Sequence, residues 1–203
     1  SSAIEFGANG GKVIVDGNAN QTLSKTGSYN PAVKKLQMNK ETKKITLNLP
    51  LTISDSLIFT RGVIATDSVN LLLLPDNCIV TGASDSGYVI GPVKKTGNDV
   101  FTFPVGSIYY SPLTISAPSN ATDAFTAQYF RAGHGKGTNA DTSIENESTC
   151  EYWKLERNAG SSNVTVALGW NTLSCNVYGL DSMHVAVWDT TTSKWKDKGN
   201  GGT

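Results

Sequence analysis

A chain of 203 residues holds one large domain or two small ones and is long enough to bury a core. Its 17 basic residues cancel 17 acidic ones, so the basic face that a nucleic-acid partner requires is missing from the charge balance. The longest apolar run, Leu71 to Leu74, is one strand long and far short of the roughly 18 residues of a membrane helix, so membrane insertion is not expected.

The first half reads as a ladder of short hydrophobic strands. Val13 to Val15 begins it, and Asp16-Gly17-Asn18 turns the chain. Val33 to Met38, Ile45 to Leu49, Leu51 to Ile53, Leu57 to Phe59, Val69 to Leu74 and Cys78 to Val80 follow, most of them broken by Asn, Asp, Ser or Gly within a few residues. These strands are too short and too closely spaced for crossover helices. Units of this kind stack sideways into a β-solenoid. Pro50 and Pro75 then belong at corners or edges, because proline cannot donate to a central ladder. Phe101 to Gly106 closes the pattern, so residues 1–106 are expected to form the solenoid-like ladder.

Beyond Gly106 the strands lengthen and aromatic residues concentrate. Ala124 to Phe130, Glu151 to Arg157, Val164 to Trp170, Met183 to Trp188 and Lys194 to Lys196 are the candidates. Turn-rich pieces separate them and no amphipathic helix intervenes, which predicts an antiparallel, immunoglobulin-like β-sandwich over residues 107–203. The fold class is therefore all-β, a small β-solenoid followed by an antiparallel β-sandwich. In that sandwich Trp170 shares a face with Val164, Val166 and Leu168, which assigns it to the core. Trp153 shares a face with Leu155 and is assigned likewise.

Residue chemistry offers little that resembles catalysis. His134 and His184 belong to no metal motif. Gly133 to Thr138 departs from the phosphate-loop pattern, because Lys136 is followed by Gly137 rather than Ser or Thr and the preceding spacing is wrong, and reads as a glycine loop. Asp189 and Asp197 are the candidate carboxylates for a structural calcium ion that would stabilise a loop, without the spacing of an EF-hand. No other cofactor is expected. Trp188 and Trp195 are the candidates for a glycan-stacking site, because sugars present apolar C–H faces to aromatic rings. Trp195 lies between Lys194 and Lys196, and both faces of the strand carrying Trp188 are apolar. Two readings of the three cysteines stand side by side: Cys150 pairs with Cys175, worth on the order of 3 kcal/mol by the chain-entropy argument, or all three are buried thiols. Cys78 reads as a small buried residue of a rung.

Four strings carry a resemblance: Gly91 to Gly106 (GPVKKTGNDVFTFPVG), Tyr110 to Pro118 (YSPLTISAP), Asp123 to Phe130 (DAFTAQYF) and Ser148 to Trp153 (STCEYW). Together they resemble a repeat module of very large secreted surface proteins of Bacteroidetes-type bacteria, many of which carry a type IX secretion signal. The likeness covers roughly residues 30 to 200. It implies a secreted or cell-surface protein without catalytic activity, and a disulfide between Cys150 and Cys175. Similar modules continue past the position of Thr203, which implies a sandwich incomplete at its C-terminus and completed by a neighbouring module or another copy. Bacteria of this group O-glycosylate Asp-Ser or Asp-Thr followed by an apolar residue or Thr, which marks Ser56, Ser68, Ser182 and Thr190 as candidate sites.

The low share of charge, with Thr, Ser, Asn and Gly in its place, suits exposed strands and tight turns of an extracellular protein. The absence of a starting Met and the Gly-rich end suggest a mature or excised piece of a longer protein. The function expected from all this is a non-enzymatic structural or adhesive module, assembling with neighbouring modules or copies of itself into a fibre or surface layer. The alternative is a carbohydrate-binding module of a polysaccharide-degrading protein, with surface polysaccharide as partner. A solenoid lyase ranks last: Lys34, Lys35, Lys43 and Lys44 have no matching carboxylate pattern.

Overall fold

The structure is a computed structural model that describes residues 11–175, 179 and 182–200. The described residues contain no α-helix and form a β-solenoid of about four turns joined to antiparallel sheets. The ladder comprises β1 (Lys12–Asp16), β2 (Gln21–Ser24), β3 (Ala32–Asn48), β4 (Leu51–Ala65), β5 (Leu72–Leu74), β6 (Ile79–Thr81), β7 (Val89–Ile90), β8 (Val93–Thr96), β9 (Phe101–Phe103) and β10 (Val105–Gly106). With the exception of β9, these strands pair in parallel: β1 and β2 on β3, β3 on β4, β4 on β5, β6 and β7, β5 on β8, and β7 on β10.

Register explains why the apolar residues recur. Val13, Leu36, Leu57 and Val80 pair in succession, as do Ile45, Ile64, Val89 and Val105, and Leu51, Leu72 and Val93. Each series stacks like on like along the interior. Leu57, Ile64, Leu72, Val89, Val93 and Val105 have no exposed surface. Burying each of these side chains contributes about 1.5–3 kcal/mol against the entropy of ordering its rung. Lys34, Ser54 and Thr60 alternate outward and stay exposed, which keeps the sides of the ladder polar.

Two features differ from the sequence reading. The segments 33–38 and 45–49 belong to one strand, β3, and 51–53 and 57–59 to β4. Both strands run through a corner where the register slips between Asn39 and Lys44. Such a slip lets a strand bend while its ladder continues. Gly62 sits at this corner with φ +98°, and a Cβ there would lie 2.6 Å from the Lys40 carbonyl oxygen. Val69 is also not in a strand: the Asp67 carboxylate accepts from the backbone N–H of Val69 and Asn70 at 2.8 Å, a side-chain turn that leaves Val69 73% exposed. Pro50 and Pro75 lie between strands, as a residue without an N–H requires.

The second half supplies β11 (Leu113–Ile115), β12 (Ala124–Phe130), β13 (Tyr152–Ala159), β14 (Val166–Leu168), β15 (Ala186–Asp189) and β16 (Lys194–Asp197), all paired antiparallel. β12 adds to β8 and β13 to β12, so one sheet runs in the order β1-β3-β4-β5-β8-β12-β13. Gly106 therefore marks a change of strand direction, while the hydrogen bonding continues across it. β9, β11 and β14 make a second sheet, and β15 with β16 a hairpin. One buried cluster extends from Val33 to Tyr129, and Trp153, Leu155, Val166 and Leu168 pack on it.

Trp170 corrects the core assignment. β14 ends at Leu168, and the Gly169 N–H bonds the Pro112 carbonyl at 2.8 Å. The alternation stops there, and Trp170 is 45% exposed. Trp153 is half-buried against the core, its indole N–H donating to the Ser111 carbonyl at 2.9 Å.

Candidate functional site

Trp188 and Trp195 face each other across the β15–β16 pair, with ring centroids 5.3 Å apart and edges turned at 69°. The glycine loop expected around His134 closes over one side of them. His134 meets the Trp195 ring edge-on at 4.7 Å, the Trp195 indole N–H donates to the Gly137 carbonyl at 3.0 Å, and the Lys136 ammonium lies 5.9 Å from the Trp188 centroid. Both tryptophans are half-buried in this arrangement. The rings bind the hairpin to the loop; the indole that stands out most into solvent is that of Trp170.

At the other end of the hairpin the Asp197 carboxylate accepts from Ser143 Oγ at 2.6 Å and from the Gly199 N–H at 2.7 Å, with His184 Nδ1 at 2.9 Å. These contacts, led by the Ser143 hydroxyl, hold its carboxyl down at about 2. Serine, histidine and aspartate meet here, but the hydroxyl is directed at the carboxylate rather than at the imidazole. A nucleophile needs its base within hydrogen-bond reach, and here both Ser143 and His184 bond Asp197 instead, so the group ties loop 139–144 to the hairpin. Asp189 bonds separately to Thr191 and Thr192 at the hairpin turn. Asp189 pairs with Lys194 and Asp197 with Ala186, so the two carboxylates suggested for calcium stand at opposite ends of the strand pair.

The disulfide is present: Cys150 bonds Cys175 with Cα atoms 5.9 Å apart, and Cys78 is free and buried. Beside it lies a group that the sequence did not suggest. Glu151, 4% exposed, accepts from the Tyr129 hydroxyl at 2.6 Å and the Tyr109 hydroxyl at 3.1 Å. Arg131 donates to Tyr109, approaches Glu151 at 3.5 Å and donates to the Leu173 carbonyl at 2.7 Å. Burial, and then the hydrogen bond to Glu151, push the Tyr129 phenol well above its ordinary value. The buried carboxylate is thus paired and solvated by hydroxyls, the condition under which a buried charge is tolerated. Its members come from positions up to 42 residues apart, and each looks ordinary among its sequence neighbours.

The candidate modification sites divide by exposure. Ser68 and Thr190 are exposed in turns, and Ser182 is exposed as well. Ser56 is only 5% exposed, inside the ladder. An open polar depression of about 370 Å³ lies at the first corner, lined by Asp16, Gly17, Asn18, Asn39, Glu41 and Arg61. Among the described residues no group of three or more His, Cys, Asp or Glu side chains converges as a metal site would, and no helix is long and apolar enough to cross a membrane.

No family model matches this chain, nor does any curated protein or solved structure.

Proposed function

We propose that the chain is a non-enzymatic structural and adhesive module of a secreted cell-surface protein, in which the solenoid is a stiff spacer that neighbouring modules or further copies extend. The observation that carries this reading is the single sheet running from β1 to β13, whose two outermost strands have no strand partner on their outer sides among the described residues. Every rung hydrogen-bonds the next, so a load along the sheet is spread over many backbone bonds. The Cys150–Cys175 bond suits an oxidising compartment outside the cytosol. Exposed Ser68, Ser182 and Thr190 are the positions at which O-linked sugars would sit on such a surface.

Electron microscopy of the purified chain tests the reading. Fibres or sheets with a repeat of one chain are expected. A monodisperse monomer that binds a defined oligosaccharide tightly overturns it in favour of a second reading, carbohydrate recognition. One observation favours that second reading: the Trp170 ring, 45% exposed, is open to stacking on a sugar face. Trp170→Ala would then abolish binding, whereas Trp188→Ala and Trp195→Ala would act through the hairpin fold.

A further inference from the structure

Resting on the reading of a self-extending module, we propose that copies join head to tail by parallel pairing of β1 of one copy with β13 of the next, Ile14 against Tyr152, Val15 against Trp153 and Asp16 against Lys154. The partner is thus a second copy of this chain.

Strand direction is the first argument. β1, β3, β4, β5 and β8 run in parallel, β12 reverses on β8, and β13 reverses again on β12. β13 therefore runs the same way as β1, at the opposite end of one sheet. A copy displaced along the sheet, without being turned over, presents β1 to β13 as a parallel neighbour. Such a contact is heterologous and does not close on itself, so it propagates.

The two faces also match. On β1, Val13 and Val15 point to the core while Lys12, Ile14 and Asp16 are exposed. On β13, Trp153 and Leu155 pack on the core while Lys154 and Glu156 are exposed. Tyr152 shares their outer face and stacks on Phe130 at 4.6 Å. Joining the two strands must keep core on core, which restricts the register to steps of two residues. Setting Val13 beside Trp153 places Asp16 beside Glu156, and setting Val13 beside Leu155 places Lys12 beside Lys154. Both put like charges side by side, which is unfavourable. Setting Val15 beside Trp153 places Asp16 beside Lys154 and Ile14, 53% exposed, beside Tyr152 and the stacked Phe130. A twofold pairing of two β1 edges also sets Lys12 against Asp16. It closes after two copies and leaves every β13 edge open, whereas the head-to-tail contact engages both, over residues 14–16 of β1 and 152–154 of β13.

Sedimentation velocity of the full chain over a concentration series tests the proposal, with circular dichroism confirming that each variant is folded. The unmodified chain is expected to form a ladder of species beyond the dimer. Asp16→Lys and Lys154→Asp are each expected to weaken association about five-fold, and the double variant to restore it, since exposed cross-strand charges are worth under about 1 kcal/mol each. Ile14→Lys, at an exposed position, gives an independent loss. Loss with Asp16→Lys but not with Lys154→Asp indicates the twofold β1 pair and overturns the proposal. A monomer at every concentration overturns it too. Fibres whose formation ignores all of these variants remove this interface but leave the structural reading of the module standing.

Discussion

Lys40 has no exposed surface, and among the described residues no carboxylate pairs with it. Its ammonium donates to the Asp16 carbonyl and Gln21 Oε1 at 2.8 Å, and to the Gly17 carbonyl at 3.4 Å. It holds the first turn of the ladder by bonding the carbonyls that the turn leaves over. Lys40→Met fills the same space and orphans those acceptors, at a cost of about 1–3 kcal/mol. Urea denaturation is expected to show the loss, with faster amide exchange confined to residues 16–21; an unchanged midpoint would contradict this role. Burial is the main influence on Cys78 and pushes its thiol up to about 12, with Asp55 and Asp99 adding to the rise and Lys95 opposing it. Its reaction with a thiol reagent at neutral pH is expected to be negligible in the folded protein and stoichiometric in denaturant, since the thiolate is the reactive form. Rapid labelling of the native chain would show that the rung opens readily.

Stacked rungs and clamped loops behave differently as elements. Leu72 sits between Leu51 and Val93 with no exposed surface, so Leu72→Ala opens a cavity inside three strands at once. A destabilisation of about 3 kcal/mol is expected in denaturant titration. The disulfide and the Arg131 bond to the Leu173 carbonyl hold loop 171–175 against β13. Cys150→Ser with Cys175→Ser is expected to cost about 3 kcal/mol by loop entropy. Hydrogen exchange should rise first in that loop, with the rungs of β3 and β4 little changed. The β15–β16 hairpin depends on Asp197, whose carboxyl is held below its ordinary value of 3.8, down to about 2. A carboxyl depressed on folding stabilises the folded form above its unfolded pKa and loses that contribution as pH falls through the folded value. Tryptophan fluorescence should therefore report loosening of the Trp188–Trp195 pair between about pH 4 and pH 2. The carboxyls of Asp141 and Asp189, held down by contacts with the same hairpin, titrate in the same direction, so Asp197→Asn is expected to shrink that step; an unchanged step would assign the transition to them.

At the scale of the molecule, one sheet joins a parallel ladder to an antiparallel end. Parallel β ladders cannot stop without leaving an edge, and edges pair with whatever strand reaches them. At the far end the chain answers this by laying β12 and β13 on β8. The same device leaves β13 as a new edge, which is why assembly is the property to measure. The polar outer positions of the ladder keep its sides from competing with its ends.

What the sequence determined by itself is the all-β class and the stacking. Short apolar strands punctuated by Asn, Asp, Gly and Pro are local signals. The pairing of Cys150 with Cys175 was left open by spacing and favoured only by a resemblance. Tertiary structure decided the rest, because it depends on which strands meet. The corner through β3 and β4 needs Lys40 and Gly62 in adjacent rungs, and neither signals it alone. Trp170 alternates with the core residues until the Gly169 contact with Pro112 takes the chain out of the sheet. Glu151 gains its partners from two separate segments, one carrying Tyr109 and the other Tyr129 and Arg131. Side-chain type and period are properties of a few neighbouring residues, whereas an edge, a corner and a buried charge exist only once distant segments share a boundary.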